Sequence, residues 1–332
     1  MNNFKKIGLT ALAASLVSVS SHAGELTASG AASITVENYS GEQINANRAF
    51  SMADSVVLSG STELDNGLTV SMSFELDASA ADVTGSYDDH SVSIASDTLG
   101  TLKFSANGGS SAVSAMDATA AGDIFDNFDA QTLNASAVAE TSTAAGNAAM
   151  LTSPGGNNSI FYTAPAIMDG LAITASYNPK AAGAESNSAF GLAFTGVEGL
   201  TVNYAIGTDD AAAGTANNAD VTSMKASYAV GPVTLAVSDH SYDSATATRD
   251  QDTRSYSVAY TVSDSISVSY GTEELSTGEA STVDAEYTQI SASYTSGGMT
   301  ITATQQEAEN ISYGTGSTED QDYWGLTLAF AF

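Results

Sequence analysis

The stretch Leu68-Thr69-Val70-Ser71-Met72-Ser73-Phe74-Glu75-Leu76 carries an apolar side chain at every even position and a small or polar one at every odd position. Period two is the mark of an extended strand with two unlike faces, because successive side chains of a strand point to opposite sides. An amphipathic helix would repeat its apolar residues at spacings of three and four instead.

The same phase returns along the whole chain. Leu171, Ile173, Ala175 and Tyr177 show it, as do Leu200, Val202, Tyr204 and Ile206, then Ile266, Val268 and Tyr270, then Met299, Ile301 and Ala303. Trp324, Leu326, Leu328, Phe330 and Phe332 form the last such run. The pattern predicts about sixteen strands between Leu26 and Phe332. The connections between them alternate in length. Asp65-Asn66-Gly67, Asp97–Gly100, Gly196–Gly199, Gly231-Pro232, Ser263–Ser265 and Ser296–Gly298 have hairpin-turn composition. Gly207–Asp220, His240–Asp252, Thr272–Asp284 and Gln306–Gln321 read as longer, polar and acidic loops.

Antiparallel neighbours therefore collect short turns at one end and long loops at the other. A transmembrane antiparallel β-barrel has that asymmetry, with short periplasmic turns and long external loops. Tandem β-sandwiches also alternate, but they give no reason for two unlike ends. Closure also removes the sheet edges that strands of this length would otherwise expose. Tyr162, Tyr177, Tyr204, Tyr228, Tyr260, Tyr270 and Tyr294 sit near strand ends, where aromatic rings settle at the membrane interface.

Composition agrees. Of 332 residues, 38 are Asp or Glu and 8 are Lys or Arg, and the formal charge is −30. Such a chain does not bind nucleic acid, which requires a cationic surface. With no cysteine, disulfides and thiolate metal sites are excluded. A content of 43% hydrophobic residues is too high for a disordered acidic chain. Small residues in such number suit a barrel whose interior is wet. His90 and His240 stand alone in the sequence, no catalytic or metal-ligand spacing is present, and no enzymatic activity is expected.

The first 23 residues are of another kind. Lys5 and Lys6, an apolar run over Ile7–Val19 and the small-residue end Ser21-His22-Ala23 form a secretory signal peptide, cleaved after Ala23. Residues 24–332 are then the barrel, and the removed segment takes two of the eight basic residues with it.

One connection breaks the rhythm. About fifty residues separate the strand at Thr101–Ala106 from the strand at Ser159–Ala164, and connections of that length are functional or disordered. This one carries Asp117, Asp123, Asp126, Asp129 and Glu140, with Phe125 and Phe128 between the acids. That mixture suits a segment that pins its apolar residues to a wall while presenting charge to water.

Several stretches resemble the general diffusion porins of Gram-negative bacteria. They are the terminal Tyr323-Trp324-Gly325-Leu326-Thr327-Leu328-Ala329-Phe330-Ala331-Phe332, Val56–Leu68 with its turn, Leu99–Phe104, and Asn158–Pro165. The resemblance implies residence in the cell outer membrane after export through the periplasm, and a homotrimer in contact with outer-membrane lipid and lipopolysaccharide. It implies that Tyr323, Trp324, Phe330 and Phe332 form the signal read by the barrel assembly machinery. It also implies that residues 107–157 are the third loop, folded into the lumen as a constriction. In that family, acids on the loop face basic residues on the wall. Here the acids are present, but Lys103, Lys225 and Arg48 are the few basic candidates for the lumen, and Arg249, Arg254 and Lys180 read as loop or rim residues.

With Glu75 also on a lumen face, the expected activity is a water-filled channel for small hydrophilic solutes and ions that prefers cations. A substrate-specific channel, or a surface adhesin or structural barrel, is the alternative. Acidic loops containing Asp82, Asp88, Asp89, Asp209, Asp210, Asp250, Asp252, Glu273, Glu274, Glu319 and Asp320 would suit Ca²⁺ or Mg²⁺. Ala28, Gly30 and Ala32, small and outward on the first strand, would admit a neighbouring barrel.

Overall fold

The computed structural model describes residues 26–40, 49–77, 88–116, 118–129, 150–151, 153, 155–179, 186–210, 218–279, 282–311, 313–315 and 320–332. The segment 1–23, Arg48, Asp82, Asp117, Glu140, Lys180 and Glu319 lie outside the described residues.

Sixteen strands follow one another. They are β1 (Leu26–Ser40), β2 (Ala49–Glu63), β3 (Thr69–Asp77), β4 (His90–Ser96), β5 (Gly100–Asn107) and β6 (Ser159–Thr163). Then come β7 (Leu171–Asn178), β8 (Asn187–Val197), β9 (Leu200–Asp209), β10 (Ala219–Val230) and β11 (Val233–Ser244). The series closes with β12 (Gln251–Ser263), β13 (Ile266–Thr277), β14 (Ala285–Ser296), β15 (Met299–Glu309) and β16 (Gln321–Ala331). Each pairs antiparallel with its sequence neighbours, and β1 pairs with β16, so the sheet is a closed barrel.

The pairing register confirms the two faces. Leu235, Val237, Tyr256, Val258 and Ile290 stand exposed on the outside, where a water-soluble protein would not tolerate so continuous an apolar surface. All seven girdle tyrosines occupy outward positions. Ser, Thr, Gly and Ala dominate the inner face, as in Ser71 opposite Ser93 and Ser255 opposite Ser238.

The short turns lie where their composition places them. Gly199 has φ 76° and Gly297 φ 59°, left-handed values that favour glycine in tight hairpins. The long connections are shorter than the alternation suggests. β11 runs on to Ser244, β13 to Thr277 and β15 to Glu309. Their outward residues there are Asp239, Asp243, Glu274 and Glu309, and Arg254 of β12 lies 3.3 Å from Asp239. The ladders continue because backbone pairing needs no apolar face once a strand has left the hydrocarbon layer.

At the seam, the Gly30 amide donates to the Phe332 carbonyl (2.7 Å) and the Phe332 amide returns a bond to the Gly30 carbonyl (3.0 Å). A Cβ on Gly30 would lie 2.5 Å from the Phe332 ring. The absent side chain at Gly30, read from the sequence as room for another barrel, is thus occupied by the chain's own aromatic. Gly30 is half-buried there.

Candidate functional site: a loop seated on the lumen wall

Residues 108–116, 118–129, 150–151, 153 and 155–157 follow β5 into the barrel and lie along its inner wall. The two limbs pass each other at the base, where Gly156 donates its amide to the Gly109 carbonyl and a Cβ on Gly155 would come within 2.4 Å of that oxygen. Ser111 bridges the limbs through Ser153 (3.0 Å).

The outgoing limb makes its first apolar contact with Ala112 and Val113, buried against Ala189, Ala205, Ala219, Val221 and Tyr242 of β8 to β11. The Ala112 amide donates to Ser176 of β7 (2.9 Å). Farther on, the main chain is taken up by wall side chains. Lys225 of β10 donates to the carbonyls of Ala118 and Thr119, both at 2.9 Å. The Ala120 amide donates to Ser238 of β11 (2.9 Å), and the Ala121 amide to Ser255 of β12 (2.8 Å). Ser257 donates to the Ala120 carbonyl (2.6 Å). Gly271 leaves space for this run, since a Cβ there would stand 2.6 Å from that of Ala121.

Thr119 and Asp123 then close a turn. The Thr119 amide donates to the Asp123 carboxylate, and the amides of Gly122 and Asp123 donate back to the Thr119 hydroxyl. That hydroxyl donates to Glu273 of β13, whose other oxygen accepts the Phe125 amide (3.2 Å). Asp123 has φ 58°, which its short side chain tolerates while hydrogen-bonding locally.

Beyond the turn, Ile124, Phe125 and Phe128 are buried against Leu275, Ala285, Tyr287, Ala308 and Tyr323 of the wall. Ile311 and Tyr313 of the β15–β16 connection complete this cluster. Phe128 lies 5.7 Å from the Tyr287 ring and meets Tyr39 edge-on at 6.4 Å. Each such apolar side chain stabilises the docked loop by about 1.5–3 kcal/mol. Phe128 belongs to a short helix, α1 (Asp126–Asp129). Asn127 donates to Gln306, which in turn donates to Gln289. On the return limb, the Leu151 amide donates to Gln251 (2.7 Å), and His240 Nε2 lies 2.6 Å from the Leu151 carbonyl. Gln251 also donates to the Tyr313 phenol, which burial pushes up to about 12.

The residues singled out from the sequence are placed unequally. Glu75 faces the lumen from β3, and its carboxylate lies with those of Asp88 and Asp89, ligand atoms of all three within 4.8 Å of one another. Lys103 faces inward from β5, between Ser93 and Phe161 in register. Lys225 faces inward too, but onto the loop's carbonyls. Asp126 is half-buried, and Asp129 ends α1. Asp123 differs from expectation. It is buried at 4% exposure, because the turn uses its carboxylate as an internal acceptor. Burial raises its pKa, and the Thr119 contacts and Lys225 charge oppose that rise. Tyr323 differs as well. It points inward, buried under the loop, with its hydroxyl 3.3 Å from Glu37, whereas Trp324, Phe330 and Phe332 are outward.

The sequence did not single out Ser238, Ser255, Ser257 or Gln306, nor Glu273 as a residue of the lumen. Carrying the phase of Ile266, Val268 and Tyr270 three residues farther puts Glu273 on the inner face. Nothing of the kind distinguishes the serines from the many others.

A family model described as Gram-negative porin matches residues 8–332. A search of curated protein sequences gives no match. Among solved structures, the chain is similar to an anion-selective porin from Comamonas acidovorans, with 16% identity, TM-score 0.68, and coverage of 92% of this chain and 99% of that one. It is similar to OmpF of Salmonella typhi, solved as a complex with daunomycin, with 14% identity, TM-score 0.64 and coverage of 95% and 100%. For OmpT of Vibrio cholerae the figures are 13% identity, TM-score 0.64, and 95% and 99%.

Proposed function

Because the chain belongs to the Gram-negative porin family, a family of outer-membrane channels without enzymatic activity, we propose that its own channel passes small hydrophilic solutes and prefers cations. The observation that carries this reading is the charge inventory of the lumen. Three carboxylates meet at Glu75, Asp88 and Asp89, while Lys225 is directed into the carbonyls of the loop. Lys103 is left as the inward lysine that meets no loop carbonyl among the described contacts. Fixed charges in a pore within a low-dielectric layer concentrate counter-ions and set which sign of ion enters.

The likeness to a porin named as anion-selective does not oppose this. At 16% identity it concerns the fold, whereas selectivity resides in lining side chains. The channel is also proposed to act as a homotrimer seated among lipopolysaccharide, with Trp324, Phe330 and Phe332 outward for the assembly machinery.

The test is the zero-current potential of purified protein in a planar bilayer under a KCl gradient. A potential of the sign that marks potassium permeation supports the reading; a chloride-selective potential overturns it. Liposome swelling with unrelated sugars, graded by size without saturation, separates a diffusion channel from a specific one.

A further inference from the structure

We infer that Lys225 is a positioning residue for the constriction, which holds the loop at its distance from the wall and takes no part in the field across the pore. The inference rests on reading the barrel as a channel and goes beyond it by giving one lumen charge a different task.

The loop segment 118–121 reads Ala-Thr-Ala-Ala. Its alanines offer no long side chain to grip the wall, so its position depends on what reaches its main chain. Lys225 supplies two donors to adjacent carbonyls, those of Ala118 and Thr119. Both carbonyls lie before the serine contacts at Ala120 and Ala121, so Lys225 fixes the point from which that run begins. Thr119 is then held from two sides, its carbonyl by Lys225 and its hydroxyl by Glu273. A lysine ammonium is compact, with three donors on a flexible stem, and it reaches two carbonyls that a serine of the wall could not span. Its charge is directed onto the two loop carbonyls and lies near enough to Asp123 to oppose the rise of that carboxyl's pKa. A lysine serving a crossed field would instead present its ammonium to the open passage, as the inward position of Lys103 allows.

The experiment compares single-channel recordings of the wild type with K225M, K225R and K103M in planar bilayers. K225M removes both charge-assisted bonds, and losing the equivalent of even one raises the undocked population by about tenfold. K225M should therefore spend about tenfold more time in noisy or enlarged conductance substates and pass larger sugars in liposome swelling. Its zero-current potential in a KCl gradient should remain near the wild-type value, and K225R should restore a quiet channel. K103M should do the reverse, moving the potential and leaving the noise unchanged. Heat-modifiable gel migration shows whether K225M has closed its barrel; K225Q replaces it if not. A quiet K225M channel whose zero-current potential moves toward cations overturns the inference, for then Lys225 is a lining charge. A wild-type protein that forms no channel at all overturns the channel reading instead, and does so before any variant is compared.

Discussion

Replacing Phe128 by alanine should loosen the constriction while leaving the barrel intact. The Phe128 side chain is fully buried between the loop and the wall, against Tyr287 and Tyr39. Truncating a buried phenylalanine costs about 3–5 kcal/mol, part of it from the cavity left behind. Little of that loss should fall on the wall, whose strands are held by ladders on both sides of Tyr287 and by the β16 ladder at Tyr39. It falls on the docking of residues 124–129, where Asn127 to Gln306 and Phe125 to Glu273 remain as polar contacts. A docking equilibrium weakened by about 3 kcal/mol shifts by about a hundredfold. In single-channel recordings the variant should show frequent excursions to a larger conductance, and its liposomes should swell with sugars that the wild type excludes. Its unheated gel band should not move. Unchanged conductance and noise would refute the reasoning, because the loop tip would then not bound the passage. A collapse of heat resistance would refute it differently, by showing that the cluster supports the wall.

Lowering the pH should quieten the channel. Asp123 titrates above the ordinary carboxyl value when docked, so the docked loop binds the proton more tightly than the released loop. Docking is therefore strongest below the ordinary carboxyl range and weakens as pH rises through the raised value. Noise recorded from pH 7 down to pH 4 should fall in the wild type, and this trend should shrink in Asp123→Asn, which leaves the buried Glu273 carboxyl in contact with the same turn. Substituting Glu75 by glutamine should reduce the proposed cation preference, read as a zero-current potential several millivolts closer to zero, because it removes one of three mutually repelling lumen charges; an unchanged potential would place the selecting charges elsewhere. Gly30→Leu forces the Phe332 ring from its seat at the seam, an overpacking that costs about 1–3 kcal/mol and should lower the temperature at which the gel band shifts.

The wall was legible in the sequence because lipid demands period two on every strand that crosses it. The stretch 68–76 and the terminal run show the demand openly, and the glycine turns mark where it pauses. The outer ends of β11, β13 and β15 were not legible, since above the hydrocarbon layer the outward residue is free to be Asp243 or Glu274 and the phase disappears. The loop was legible as an interruption with acids and two phenylalanines. Its seat was not, because a serine that meets a loop amide looks the same as one that meets water. Only the register of β10, β11 and β12 brings Lys225, Ser238 and Ser255 side by side. Asp123 was misjudged for a related reason. A carboxylate needed inside a turn has the same letter as one needed in a pore.

The seat spreads over strands from β7 to β15, with Ser176, Lys225, Ser238, Ser255, Glu273 and Gln306 each supplied by a different strand. A slip of one residue in any of them would turn its contact from the lumen to the lipid side. The loop can therefore dock fully only after most of the barrel has been threaded correctly. Its docked position thus requires strands far apart in sequence to hold their registers at once. A barrel with one misplaced strand would carry its error as a loose loop and an open bore. A docked loop is in that sense also a record that the strands beneath it paired in frame.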